Sequence, residues 1–555
     1  MASVAQRRDI ATRLLRPTAV QILCTMLALV LLLQVELVYA KSVNWDEFFH
    51  FSQIHQNLLG RPAPWLQAPF VALFFWVPAL PGDNIDHIQL IRLLILPFEI
   101  ATIAAIAGMA SRFTDRETAL LCGLIYATGG YVFLHAFALR ADMIAAALLM
   151  GALWLTLCRP LRGREIALIL LLVGLAFFST IKAVLYAPAF LGVLLFRLEK
   201  PGHRRVLASA AMLVALASVT LLWLAPHLPA TGPVGVLRDV GDLGRASIDR
   251  MFSGGVFPQG AWLLLQIVFA PLLSVAILAT VLYACWPGRG WTERILLLSL
   301  LAPLATVAVY RNAFPYHFAF ILPPAVVAVA PVVGWLRQRY GVVAVAFLPL
   351  AGALLLSFGQ DRDVLPRQRA ILTGIQTIFP APVTYIDNSG MAGNFPRAVN
   401  HFASGWGLEN YYRAGEPIYS AALKAEPVPM LLANNVVLRG LFHDTSFDGR
   451  FLPEDDRILR ENYIPHWGRL FVAGKVIAPG ERPIAVEIAV PGRYTVEGGS
   501  IDIDGKHHPA GNLVTLARGM HSVAGPRGVD VTLRWGDDLD RPAFAWPSGP
   551  IFTEY

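Results

Sequence analysis

A chain of 555 residues that is 56% hydrophobic, only 15% charged and has a mean hydropathy of +0.55 is too apolar for a soluble globular protein. Several runs reach the roughly 20 apolar residues that cross a hydrocarbon core, so the class is a polytopic α-helical membrane protein. The formal charge of +7 does not call for nucleic acid as a partner, because there is no basic tail and the arginines fall in short gaps between apolar runs, as a positive-inside bias requires.

Few of the basic residues are lysine, which fits a GC-rich bacterial genome. The four cysteines, Cys24, Cys122, Cys158 and Cys285, lie in or beside apolar runs, at spacings that fit neither a zinc site nor a disulfide framework. They read as small packing residues.

The first apolar run, from about Ala19 to Ala40, is longer than the roughly 7–15 residues of a signal-peptide core. It reads as a retained span. About eleven spans are expected, near 18–40, 88–110, 117–133, 136–157, 164–179, 183–197, 205–227, 260–284, 293–310, 316–335 and 341–358. Arginines cluster in the gaps of one side, for example Arg112 and Arg116, then Arg159, Arg162 and Arg164, then Arg337 and Arg339. That side is expected to be cytoplasmic, and an odd number of spans puts everything after Gln360 outside.

Residues 41–87 form the first long outer segment. Phe48, Phe49, Phe51, Ile54 and Leu58 alternate at helical spacing with His50, Gln53, His55 and Gln56, which predicts a helix lying in the interface. The stretch Pro62–Gly82 is apolar but short and bounded by prolines, and predicts a second interfacial or re-entrant helix. Residues 228–258 form another outer loop.

After Gln360 the composition becomes that of a soluble protein, and from about Pro483 it alternates with turn punctuation. Three parts are expected: a transmembrane part at 1–360, an extracytoplasmic α/β region at 361–475 and a small β-sandwich at 476–555.

Asp46 and Glu47 are adjacent acids just past the first span. They suit the first turn of a helix capped by Asn44, and at a membrane surface one also suits a general base. Adjacent residues point apart on a helix, so one acid would do chemistry while the other orients something. Arg140, Lys182 and Arg311 sit at outer span ends, where the positive-inside bias does not place them. An ionisable group at that depth is costly and usually has a partner or a job. Asp142 follows Arg140 closely, as an ion pair or as half of a polar headgroup site. Lys182 either snorkels or contacts an anion. Tyr316 and His317 follow Arg311, with Tyr316 also suited to the aromatic belt. Cations and carboxylates thus gather on one membrane face. Breaking a sugar–phosphate bond there requires cations for the departing phosphate and a carboxylate for the acceptor's proton.

These motifs together resemble the GT-C superfamily of integral membrane glycosyltransferases, in the branch of bacterial protein O-mannosyltransferase relatives and the aminoarabinose transferase of lipid A. The acidic pair Asp46-Glu47 after the first span, Arg140-Ala141-Asp142 before a later span, Ser179-Thr180-Ile181-Lys182 and the stretch from Tyr316-His317 to Pro323-Pro324 carry the resemblance, which covers roughly residues 1–358. It implies a polyprenyl-phosphate-linked sugar donor, an outward-facing site and inverting single displacement onto an envelope glycan, lipid or protein. Asp46 then matches the proposed base, with Glu47 and Asp142 as further catalytic carboxylates. Arg140, Lys182, Arg311, Tyr316 and His317 match the donor-phosphate side.

Two departures stand out. Gln67-Ala68-Pro69 occupies the place of a Lys-Pro-Pro element, and Lys182 lacks a following glycine. No cofactor is implied with certainty; a divalent metal shared by Glu47 and His50 is a further option. An alternative reading is a transporter or flippase of lipid-linked sugars. It fits less well, because transporters place unusual charges near the midplane between repeated halves.

Overall fold

The computed structural model describes residues 18–61, 69–198, 254–399, 405–443, 450–478 and 480–553. The expected span 205–227, most of the outer loop 228–258 and the Gln67-Ala68 pair lie outside the described residues.

The first helix, α1 (Ala19–Ala40), opens on a capping box between Thr18 and Gln21. The expected interfacial helix follows as α2 (Trp45–Leu58), capped by Asn44. Short 3-10 turns at Pro69–Phe74 and Val77–Ala79 take the place of the second interfacial helix, since closely spaced prolines withhold the donors a longer α-helix needs. Then come α3 (Asn84–Ala110), α4 (Arg116–Ala127), α5 (Tyr131–His135), α6 (Ala141–Cys158) and α7 (Gly163–Ser179). A 3-10 turn at Ile181–Tyr186 runs into α8 (Ala187–Leu198).

Beyond the undescribed stretch lie α9 (Gly260–Phe269), α10 (Pro271–Cys285), α11 (Trp291–Leu301), α12 (Pro315–Ala328), α13 (Ala330–Tyr340) and α14 (Val342–Phe358). Among the described residues five helical stretches are long and apolar enough to cross a membrane, or up to seven if two bent pairs each count as one span. The pairs α9–α10 and α12–α13 bend by 102° and 66°, the first where Pro271 begins the second helix of the pair.

The expected span 117–133 is broken at Gly129-Gly130. Gly130 has φ 63°, and the buried Gln266 of α9 accepts from Tyr131 N–H at 2.9 Å and donates to the Gly129 carbonyl at 3.0 Å. The side-chain amide satisfies backbone groups that the broken helix would leave unpaired.

The C-terminal region begins with the amphipathic α15 (Val364–Ile378). Its strands form a seven-stranded sheet, in the order β1 (Tyr385–Ile386), β2 (Met430–Leu432), β4 (Leu470–Ile477), β11 (Val531–Trp535), β6 (Gly492–Glu497) and β9 (Leu513–Leu516), with β3 (Tyr463–Trp467) also paired to β4. A four-stranded sheet carries β5 (Ile484–Ile488), β10 (Gly519–Ala524), β7 (Ile501–Ile503) and β8 (Lys506–His508). Strand β4 joins the two parts: Leu470–Leu432 pairing ties it to β2, and Ile477–Val531 pairing ties it to β11. Four helices, α16 (Gly405–Ala414), α17 (Ile418–Ala425), α18 (Val436–His443) and α19 (Pro453–Asn462), accompany β1–β3.

The apolar core of the membrane helices runs on without a break into this region, through Ile371, Ile375, Trp467 and Ile551. The segment after β11 crosses back over α15: Trp546 packs on Trp467 with centroids 4.8 Å apart, and Phe552 meets Trp45 and Phe48 of α2 edge-on.

The seam between α15 and β3 is tight, because a Cβ at Gly374 would run into the Trp467 indole. Replacing Gly374 with valine should destabilise the protein by about 1–3 kcal/mol through overpacking, seen as a lower unfolding midpoint by tryptophan fluorescence. An unchanged midpoint would show that this seam carries no packing strain.

Candidate active site

Two acids one residue apart are separated by about 100° around a helix, and the first turn of α2 uses both directions. Glu47 turns inward and is 2% exposed. Arg92 of α3 donates to it from Nε at 2.8 Å and from Nη2 at 2.5 Å. The Leu139 N–H donates to the same carboxylate at 2.9 Å and the Asn44 N–H at 3.1 Å. Arg92 also donates to the carbonyls of Val38, Lys41 and Ser42, at 3.1, 3.0 and 2.8 Å. All five guanidinium donors are therefore engaged. Burial raises the Glu47 carboxyl, but the Arg92 guanidinium and the backbone donors outweigh it and hold it below the ordinary carboxylate range.

Asp46 faces the other way. It pairs with Nη1 of Arg140, the residue before α6. Arg140 Nε lies 3.1 Å from one oxygen of Asp142, and Lys182 Nζ lies 2.6 Å from the other. The Arg140 guanidinium sits 3.3 Å from the centroid of the Tyr316 ring, and Lys182 Nζ lies 4.9 Å from it. Asp46, Arg140, Asp142, Lys182 and Tyr316 thus form one cluster, drawn from α2, the start of α6, the turn before α8 and the start of α12. These four charged side chains are only 6–17% exposed, so their pairings are poorly screened.

Of the other candidates, His317 and His50 lie beside this cluster, and the contacts described for Arg311 run elsewhere. His317 packs against Tyr310 at 4.8 Å, and its Nε2 is 3.1 Å from Thr306 Oγ1. Arg311 lies beside Gly254, and its carbonyl accepts from Gln259 at 3.1 Å. His50 packs edge-on against Phe70 at 5.0 Å. Burial, with Arg140 nearby, pushes His50 down to about 4, so its ring is neutral near pH 7. Glu47 turns to Arg92 rather than sharing a cation with His50, and among the described residues no group of three His, Cys, Asp or Glu is placed to hold a metal ion.

A small, partly enclosed cleft adjoins the cluster and is lined by Lys41, Ser42, Glu47, Arg140, Tyr316 and Thr553 among others. Thr553 reaches it because Gln368 of α15 clamps two distant segments. Gln368 bonds the N–H and carbonyl of Val43 at 2.9 and 2.8 Å and the Ile551 carbonyl at 2.9 Å.

Sequence reasoning missed Arg92, Lys41 and Thr553. Arg92 had a visible signal: a charge inside the expected span 88–110. Thr553 had none, since its place depends on a contact across 511 residues to Ser42.

The overall fold, apolar helices followed by a β-rich C-terminal region, is similar to that of solved GT-C proteins. ArnT from Cupriavidus metallidurans, solved bound to undecaprenyl phosphate, superposes with a TM-score of 0.52 over 81% of this chain and 97% of that chain at 12% identity, and its apo form gives the same values. The oligosaccharyltransferase of Archaeoglobus fulgidus, solved with Zn and sulfate, aligns over 88% of this chain and 73% of that chain at 14% identity and a TM-score of 0.49. No protein-family model matches the sequence, and no curated protein matches it.

Because Glu47 and Arg92 are both buried, breaking their pair leaves a bare charge. Glu47→Gln should cost about 3–5 kcal/mol, read as a lower unfolding midpoint and poor recovery from the membrane. Asp46→Asn should be tolerated far better. Equal midpoints for the two variants would refute this division of labour.

Proposed function

We propose that this chain is an inverting glycosyltransferase that moves a sugar from a polyprenyl-phosphate donor to an acceptor in the bacterial envelope. The observation that carries the reading is the Asp46–Arg140–Asp142–Lys182 cluster, which holds two carboxylates and two cations beside one aromatic ring. The GT-C fold shared with a protein solved with undecaprenyl phosphate supports it.

In the reaction Asp46 takes the proton of the acceptor hydroxyl. The acceptor oxygen bonds to the anomeric carbon as the bond from that carbon to the phosphate oxygen breaks. The polyprenyl phosphate leaves with the electron pair, and Arg140 and Lys182 stabilise its charge. These cations pair with Asp46 and Asp142. A donor phosphate would draw them partly off the carboxylates, freeing Asp46 to act as base only when the donor is bound. Asp142 anchors Lys182 and Arg140, and Tyr316 supports both from below. Glu47 is the positioning acid: it ties the helix bearing Asp46 to α3. Arg311 and His317 lie at the margin, as candidates for later contact with the donor. The inner-membrane setting, the outward-facing site and the extracytoplasmic C-terminal region belong to the same proposal. So does the division into residues 1–360, 361–475 and 476–555.

Asp46→Asn should abolish sugar transfer from labelled polyprenyl-phosphate sugar in cell membranes, with the envelope glycans compared by mass spectrometry, while folding and insertion persist. Lys182→Ala or Arg140→Ala should weaken donor use by about 10–100-fold, as expected for one charge-assisted contact to phosphate. Full transfer by a well-folded Asp46→Asn variant would remove the base from this mechanism.

A further inference from the structure

Among the described residues the charges of the cleft and the adjoining cluster do not balance. Glu47 is matched by Arg92, and Asp46 and Asp142 are matched by Arg140 and Lys182. Lys41, the residue that caps the C-terminal end of α1, is a fourth cation facing three carboxylates. The hydrogen bond of its Nζ runs to a neutral group, the Leu134 carbonyl at 2.8 Å. A lysine at a span end ordinarily stretches toward water. Lys41 instead reaches across to the end of α5 and lines the cleft. A partly buried cation that bonds a carbonyl, with Arg92 beside it and only the already matched Glu47 opposite it, gains from an anion that joins it.

The surroundings suit an oxyanion. Leu134 occupies one of the three ammonium donors, which leaves two. The hydroxyls of Ser42 and Thr553, 3.0 Å apart, stand in the same cleft. Lys182 and Asp142 do not line it, whereas Arg140 belongs both to the cleft and to the cluster. One wall is Thr553, part of a C-terminal region that a lipid-carrier site among membrane helices does not require.

We infer that Lys41, with Ser42 and Thr553, forms an oxyanion subsite separate from the Arg140–Lys182 cluster, and that it receives an acidic group, phosphate or carboxylate, of the acceptor. This rests on the transferase reading above. The phosphate of the lipid carrier offers the same chemistry from another source, and the experiment separates the two. The groups facing Lys41 are Arg92 of α3, Glu47 of α2, His135 of α5 and Arg140 at the start of α6. Burial and Arg92 push the ammonium down to about 7, against a smaller upward pull from Glu47. A bound anion favours the protonated form, so occupancy is full at lower pH and falls as pH rises through that value.

The test uses the full chain in lipid nanodiscs, with sulfate as a probe whose own charge is constant over the range, chloride-matched for ionic strength, and undecaprenyl phosphate as the second ligand. Sulfate should bind the wild type more tightly at about pH 6 than at about pH 8.5, following the protonation of Lys41. K41Q should weaken sulfate binding by about tenfold or more, the loss expected for one charged hydrogen bond, while K41R retains it. K41Q should still bind undecaprenyl phosphate, and K182Q should show the reverse pattern. Unchanged sulfate binding in K41Q, or a wild type that binds no sulfate, overturns the subsite. Loss of undecaprenyl phosphate in K41Q overturns its assignment to the acceptor and gives it to the lipid carrier. If the wild type binds no undecaprenyl phosphate, the transferase reading fails, and the sulfate arm decides the role of Lys41 by itself.

Discussion

The buried contact between Glu47 and Arg92 is the constraint on which the site depends. A carboxylate and a guanidinium removed from water are costly unless every donor and lone pair is used. Here the five guanidinium donors and both carboxylate oxygens are used, and the partners include the backbone of the α1–α2 turn and Leu139. One pair therefore fixes the exit of α1, the start of α2, the face of α3 and the approach to α6. Asp46 is adjacent to Glu47 in the chain, so its position follows from theirs. The same network delivers Arg140, one residue after Leu139, to the Asp46 carboxylate.

Helix ends do the rest of the positioning. Asp46, Arg140, Asp142 and Tyr316 lie at or near helix starts, and Lys182 lies in the 3-10 turn that leads into α8. Side chains there can reach across the membrane surface, while the long apolar helix bodies behind them supply rigidity. A site assembled from four separate elements needs those bodies to be fixed against one another. The pairs α9–α10 and α12–α13 bend by 102° and 66°, so these helices change direction within the bundle.

The C-terminal region is part of this arrangement. Gln368 joins the turn before α2 to the segment ending at Thr553, and Phe552 rests on the aromatic face of α2. The continuous apolar core from Leu23 to Ile551 makes the soluble-like region and the membrane helices mechanically one near the cleft. Contacts of this kind couple the C-terminal region to the walls of the cleft.

Composition and hydropathy by themselves determined the membrane class, the helices with unbroken apolar runs and the change of character after Gln360, because burying a backbone in lipid demands long apolar helices. Charges out of place in those runs also marked Asp46, Arg140, Asp142 and Lys182, since a costly group betrays itself locally. Only the tertiary structure decided which of two adjacent acids pairs with Arg140 and which is locked to Arg92. It also decided that the span at 117–133 breaks over Gln266, and that Thr553 lines the cleft with Lys41. Those facts depend on partners tens to hundreds of residues away, and a pattern read along one strand of sequence carries no record of what lies across a packing interface.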